Sequence, residues 1–200
     1  MFQAAALYLS NGTAAAAALI PLGFLIVGAL WGVLLYNNLV LSRNRTREAW
    51  SGIDVQLKRR ASLIPNLVES VRGYTKHEHA VFAEVAQARG ALAKAPGPVE
   101  AAAADQLLTG ALGRLMAVAE NYPQLQAAAN FQQLQSELTD TEEKIAYARQ
   151  FYNQNALDYN TRIQSFPGNQ FANWFQFQPF DYFHTEEKAK EDVKVSFMEA

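Results

Sequence analysis

The sequence has no cysteine among its 200 residues. A disulfide framework, a thiol nucleophile and a cysteine-based metal site are all excluded. Histidine is scarce, with His77, His79 and His184 as the whole set. None stands three residues after a glutamate, so the Glu-x-x-His pairing of di-metal carboxylate bundles is missing. His77 and His79 are two apart, which on a helix turns them to different faces. Neither a G-x-S-x-G elbow nor a glycine-rich phosphate loop occurs. These absences leave the chain with no catalytic residue, no cofactor-binding residue and no metal ligand to nominate. The expectation is a non-enzyme that needs no cofactor. A net charge of −2 gives no reason to expect nucleic acid as a partner.

Charge is also absent from one whole region. Met1 to Ser42 contains no Asp, Glu, Lys or Arg, and the first charge is Arg43. Within it, Ala14 to Tyr36 carries nothing strongly polar and would span roughly 34 Å as a helix, enough for a hydrocarbon core of about 30 Å. A cleaved signal peptide needs positive charge before its apolar core. Here Arg43, Arg45 and Arg47 come after it. A buried core helix is usually shorter and flanked by charge at both ends. Pro21 fits a membrane helix better than a soluble one. The basic flank predicts a single pass through a bacterial inner membrane, with the N-terminus outside and the C-terminal part cytoplasmic. Trp31 and Tyr36 suit the inner interface, and Tyr8 the outer one. Gly28 and Gly32 form a GxxxG, a weak pointer to helix pairing.

Past Arg43 the apolar residues fall on heptads. Trp50, Ile53, Leu57, Ile64, Leu67, Val71, Tyr74, Val81, Val85, Ala88 and Leu92 share one grid, which only Arg60 and Glu78 interrupt. The pattern predicts a long amphipathic helix. Pro65 must kink it or restart it from a Ser62 cap. The unbroken phase favours one long kinked helix, continuous with the membrane span. Ala95-Pro96-Gly97-Pro98 breaks the chain. A second helix is expected from Glu100 to Asn121, with Leu108, Ala111, Leu112, Leu115, Val118 and Tyr122 inward. A third is expected from Ala127 to Ile163, with Phe131, Leu134, Leu138, Ile145, Ala148, Tyr152, Tyr159 and Phe166 on a second grid and Thr139 to Glu142 as a polar face. Short connections between such helices imply antiparallel neighbours in a bundle.

Eight aromatics lie between Phe166 and Phe183, followed by charges from Glu186 to Asp192 and an alternating Val193-Lys194-Val195-Ser196-Phe197 that reads as a short strand. The aromatic stretch either caps the open end of the bundle or forms an exposed adhesive surface.

Several runs resemble the hallmarks of the LemA family. They are Trp50-Ser51-Gly52-Ile53-Asp54-Val55-Gln56-Leu57-Lys58-Arg59-Arg60 and Leu63-Ile64-Pro65-Asn66-Leu67-Val68, with Arg43-Asn44 before them. Gly73 to Glu78, Glu120-Asn121-Tyr122-Pro123-Gln124-Leu125, Asn130 to Leu138, Ile145 to Asn153, Tyr159-Asn160 and Phe166-Pro167 follow in order. Ser62 stands where the family usually carries Asp, and the aromatic C-terminal stretch is richer than the family pattern. The resemblance implies a single-pass membrane protein with a cytoplasmic antiparallel helical bundle. It implies no defined biochemical activity, and some relatives take part in building the magnetosome membrane.

The resulting fold class is all-α: one N-terminal transmembrane helix, an antiparallel bundle of three to four long helices, and an aromatic-rich C-terminal segment. The expected divisions are a non-cytoplasmic tail at 1–13, a transmembrane helix at 14–36, a LemA-like bundle at 37–166, and the aromatic segment with its charged tail at 167–200. Lys58, Arg59 and Arg60, beside Asp54, read as a solvated face. Asn66, Asn130, Asn153 and Asn160 read as amides that fix helix register and close loops. The expected partners are the lipid bilayer and further copies of the chain, in a homo-oligomeric scaffold supported by coiled-coil stripes. The alternative is an accessory subunit of another membrane complex, such as an envelope protease.

Overall fold

The computed structural model describes residues 2–75 and 78–184, with side chains from residue 21 onward. The charged tail after residue 184 and the expected strand at 193–197 lie outside the described residues, as does His77. Every regular element within them is a helix: α1 (Phe2–Arg72), α2 (His79–Lys94), α3 (Pro98–Ala119), α4 (Pro123–Gln126), α5 (Ala129–Gln164) and α6 (Gly168–Trp174). The all-α expectation holds. The chain divides into two compact units, one of Met1–Arg45 with Asp158–Pro179, the other of Thr46–Leu157 with Phe180–Ala200.

The second unit is the bundle. Ile53, Leu57, Ile64, Leu67 and Val71 of α1 are buried with Val85 of α2, Leu108 and Leu115 of α3, and Phe131, Ile145 and Tyr152 of α5. Direction can be read from the cross-links. As α1 advances from Thr46 to Arg60, its partners on α5 recede from Asn155 to Glu142. Those two helices therefore run antiparallel. Ala101, Ala102, Ala104 and Ala111 are buried on α3. Side chains this small let neighbouring helices approach closely.

The first grid is borne out as a buried stripe but not as one helix. α1 ends at Arg72, and Tyr74 is exposed beyond it. A heptad grid records only which face each residue turns inward. Both limbs of a helical hairpin turn a face to the same core, so phase can survive a turn.

Pro65 does lie inside an unbroken α1. Proline has no N–H to give the carbonyl four residues back, here that of Ala61. Arg89 on α2 supplies the missing donor, with Nε 2.9 Å from the Ala61 oxygen. The restart from Ser62 does not occur, and its hydroxyl donates back to the Arg59 carbonyl at 2.7 Å. α3 and α4 instead begin at prolines, Pro98 and Pro123, where the absent N–H costs nothing.

Four assignments need correction. Arg60 is buried rather than solvated, though Lys58 and Arg59 do lie at the surface. Thr141, expected on a polar face, is fully buried and donates its hydroxyl to the Leu138 carbonyl at 2.8 Å. Phe166, expected to end the second stripe, is 82% exposed, because α5 stops at Gln164 and the chain turns. Asn66 is also exposed, away from the core.

Candidate functional site

Two places in the structure carry more than core packing, one in each unit.

In the bundle, Arg60 rises from α1 into a polar cluster. Its Nη1 lies 2.7 Å from Asp105 Oδ1 on α3 and 2.8 Å from Glu142 Oε2 on α5. Nη2 donates to the Thr109 hydroxyl at 3.1 Å. Arg60 and Asp105 are each 5% exposed. Burial pushes the Asp105 carboxyl above its ordinary value, against the pull of the Arg60 guanidinium. Nearby at the surface, Arg59 and Lys144 both hold Asp140, and the Lys144 ammonium holds the Asp140 carboxyl below its usual range. One cation thus ties three helices together, the role for which a branched guanidinium is suited. Among the described residues, no group of three His, Asp or Glu side chains gathers as a metal site. His79 and His184 are both at the surface.

The sequence did carry a signal for this cluster: Arg60 is a charge on an apolar grid. Read alone, that looked like an interruption. Its meaning came from Asp105 and Glu142, far away along the chain.

The bundle also fixes the end of the aromatic stretch. Asn153 accepts from the Phe183 N–H at 2.9 Å and donates to the Phe183 carbonyl at 3.1 Å. Tyr152 donates to the Asp181 carbonyl at 2.7 Å. Phe183 is buried, with its ring 6.3 Å from that of Trp50. Asn153 therefore does close a loop, as the sequence led one to expect. Asn130 makes only a local bond, accepting from the Phe131 N–H.

The other unit contains the apolar helix. Leu22, Phe24, Leu25, Val27, Leu30 and Trp31 of α1 are all exposed. Beginning at Pro21, α1 is long and apolar enough to cross a membrane, and almost none of its apolar window is covered by protein. A core helix of a soluble protein would be mostly buried, and this stretch is not.

At the C-terminal end of that window the aromatic stretch folds back on α1. Gly168 makes the turn. A Cβ there would lie 2.2 Å from the Arg162 carbonyl oxygen, so no other residue fits. α6 then brings Phe171 onto Gly32, where an added Cβ would meet the ring at 3.2 Å. Tyr36 packs against Phe175 and Phe177, with centroids 4.8 Å and 5.9 Å apart. Arg43 places its guanidinium 4.9 Å above the Phe177 ring. The Tyr159 hydroxyl donates to the Gln178 carbonyl at 2.9 Å. Leu39, Tyr159, Ile163, Ala172 and Phe177 are buried as a small separate core. Gly32 of the GxxxG is thus used by an aromatic ring of the same chain, while Gly28 faces open space. The aromatic stretch divides: Phe177 and Phe183 are buried, whereas Phe166, Trp174 and Phe175 stay exposed.

The sequence has named relatives. It is 30% identical to magnetosome protein MamQ 2 of Paramagnetospirillum magneticum, over 89% of this chain and 75% of that protein. It is 28% identical to magnetosome protein MamQ of Magnetospirillum gryphiswaldense, over 82% and 69%. With protein LemA of Metamycoplasma hominis it shares 27% identity, over 80% and 74%. Residues 49–197, covering most of the bundle and the aromatic stretch, match the LemA family, and the chain belongs to that family.

Proposed function

We propose that the protein is a non-catalytic, single-pass membrane scaffold that self-associates through its bundle. The observation that carries this reading is an apolar surface left over after the core is complete. Most of the heptad stripe residues are buried inside the chain. Yet Tyr147 and Phe151, one helical turn apart on α5, are exposed, beside an open groove lined by Gln150, Asn153, Gln154 and Tyr182. Adjacent exposed aromatics on one helix face form an apolar patch of the kind a contact surface uses. The exposed apolar α1 supports a bilayer as the other partner, and the magnetosome designation of two relatives fits work at a membrane. The basic flank at Arg43, Arg45 and Arg47 supports a bacterial inner-membrane location with the bundle on the cytoplasmic side.

Crosslinking in membranes and sizing in a mild detergent test self-association. The expected result is a defined oligomer that Phe151→Glu dissociates without lowering the melting temperature. A strictly monomeric wild-type particle defeats this reading. A stoichiometric second protein on native purification, with no homo-oligomer, favours the accessory-subunit alternative.

A further inference from the structure

We infer that the segment from Phe166 to Phe175 is a second membrane contact, an aromatic collar that lies in the bilayer interface beside the C-terminal end of the α1 span. This rests on the reading that α1 crosses a membrane.

Three observations converge. First, the collar's outward side chains are apolar and wet in the isolated chain: Phe166 is 82% exposed and Trp174 74%. Second, their placement along α1 is fixed by contact. Phe171 sits on Gly32, and Phe175 on Tyr36. Counting about 20 residues back from Tyr36, the length that crosses a hydrocarbon core, returns to the start of the strictly apolar run. The collar therefore lies where the hydrocarbon ends. Third, its chemistry is that of the interface. From Ile163 to Pro179 there is no charged residue, but there are many amides and aromatics. Trp174 supplies a ring with a polar N–H edge, the kind that settles at the headgroup level, and the amides around it suit the same wet boundary. The first charge of α1 follows in the right order, with the Arg43 guanidinium over Phe177, two residues past the collar. Basic groups at that depth meet anionic headgroups.

A lipid surface is favoured over a second copy as the occupant because the exposed collar is continuous with the exposed face of the span. The bilayer that covers Leu30 and Trp31 meets the rings seated on Gly32 and Tyr36 without any new partner.

The test uses full-length protein in vesicles of phosphatidylcholine and phosphatidylglycerol. Trp31→Phe/Trp50→Phe leaves Trp174 as the sole indole, and Trp50→Phe/Trp174→Phe leaves Trp31. Helical content by circular dichroism confirms each fold, with Trp50→Tyr as the substitute if Trp50→Phe unfolds. Phospholipids brominated either near the glycerol end or near the chain terminus then act as depth-dependent quenchers. The collar predicts that Trp174 loses most of its emission to the shallow bromines and less to the deep ones. Trp174 unquenched by either, whether in water or under a protein partner, overturns the inference, as does stronger quenching by the deep label. Trp31 separates the two failures. If Trp31 is quenched and Trp174 is not, the span stands and only the collar falls. If neither is quenched, the span reading falls with it.

Discussion

Arg60 and Asp105 form a buried pair whose two halves have unequal reasons to be there. Removing one partner strands the other charge in a dry site, so Arg60→Ala should cost about 3–5 kcal/mol, whereas Arg60→Met with Asp105→Leu should cost far less. Denaturant melts of the full chain in detergent measure both. The sign of the pH effect follows from the raised Asp105 carboxyl. Between the ordinary value of 3.8 and its raised folded value, the folded chain holds a proton that the unfolded chain has released. Asp105's own contribution to stability therefore falls as pH rises through that window. Wild type minus Asp105→Asn, followed across it, should slope downward with pH. Tyr152 behaves likewise at the alkaline end. Burial, with Asp181 adding to it, pushes its hydroxyl from 10.0 up to about 12. Stability is lost as pH climbs through that interval, and Tyr152→Phe should remove that part of the loss. Tyrosinate absorbance during alkaline titration reports it directly.

At the scale of elements, the passage of α1 through Pro65 depends on a neighbour. The Ala61 carbonyl takes its hydrogen bond from Arg89 because the helix cannot provide one. Arg89→Ala should cost about 0.5–1.5 kcal/mol, the usual net worth of one hydrogen bond, since water can partly replace it at this exposed site. In a Pro65→Ala background the helix supplies its own donor, so the same change should cost almost nothing. A double-mutant cycle reads that coupling. The C-terminal stretch is held as firmly. Phe183 is buried against the bundle and latched on both backbone groups by Asn153. Phe183→Ala should cost about 3–5 kcal/mol, in line with truncation of a buried aromatic. Thermal melts of the full chain check this. If the melting temperature does not move, the capping role of this end is refuted.

For the whole molecule, the missing cysteines make membrane topology directly measurable. Single cysteines introduced as Asn11→Cys and Glu143→Cys have no native thiol to compete with them. With the orientation proposed from the arginine flank, an impermeant maleimide should label position 11 in intact cells or spheroplasts. Position 143 should react only after lysis. The opposite pattern reverses the orientation. Two surfaces of different kind emerge at this scale: the span and its collar, continuous and uncharged, and the Tyr147–Phe151 face of α5. Lipid exposure and self-association are therefore separable by mutation. Phe151→Glu should leave the collar's quenching unchanged while dissociating the oligomer.

The sequence alone determined that the chain is helical and which face most of its core residues turn inward. Periodicity is a local property, and Ile53, Leu67, Phe131, Leu138, Ile145 and Tyr152 lie in the core as their spacing required. It also determined one helix long and apolar enough to cross a membrane, since length and lack of charge are written in order along the chain. It did not determine where the first stripe turns back, because both limbs of a hairpin keep the same phase. It could not tell Arg60 in the core from Arg59 on the surface, because that depends on Asp105 and Glu142 arriving from other helices. Nor could it divide the aromatics. Phe183 is buried because Asn153 and Trp50 of the bundle meet it, and Trp174 is bare on α6, whose Phe171 lies against Gly32. Those outcomes are decided by contacts between distant segments, and only the folded chain brings those segments together.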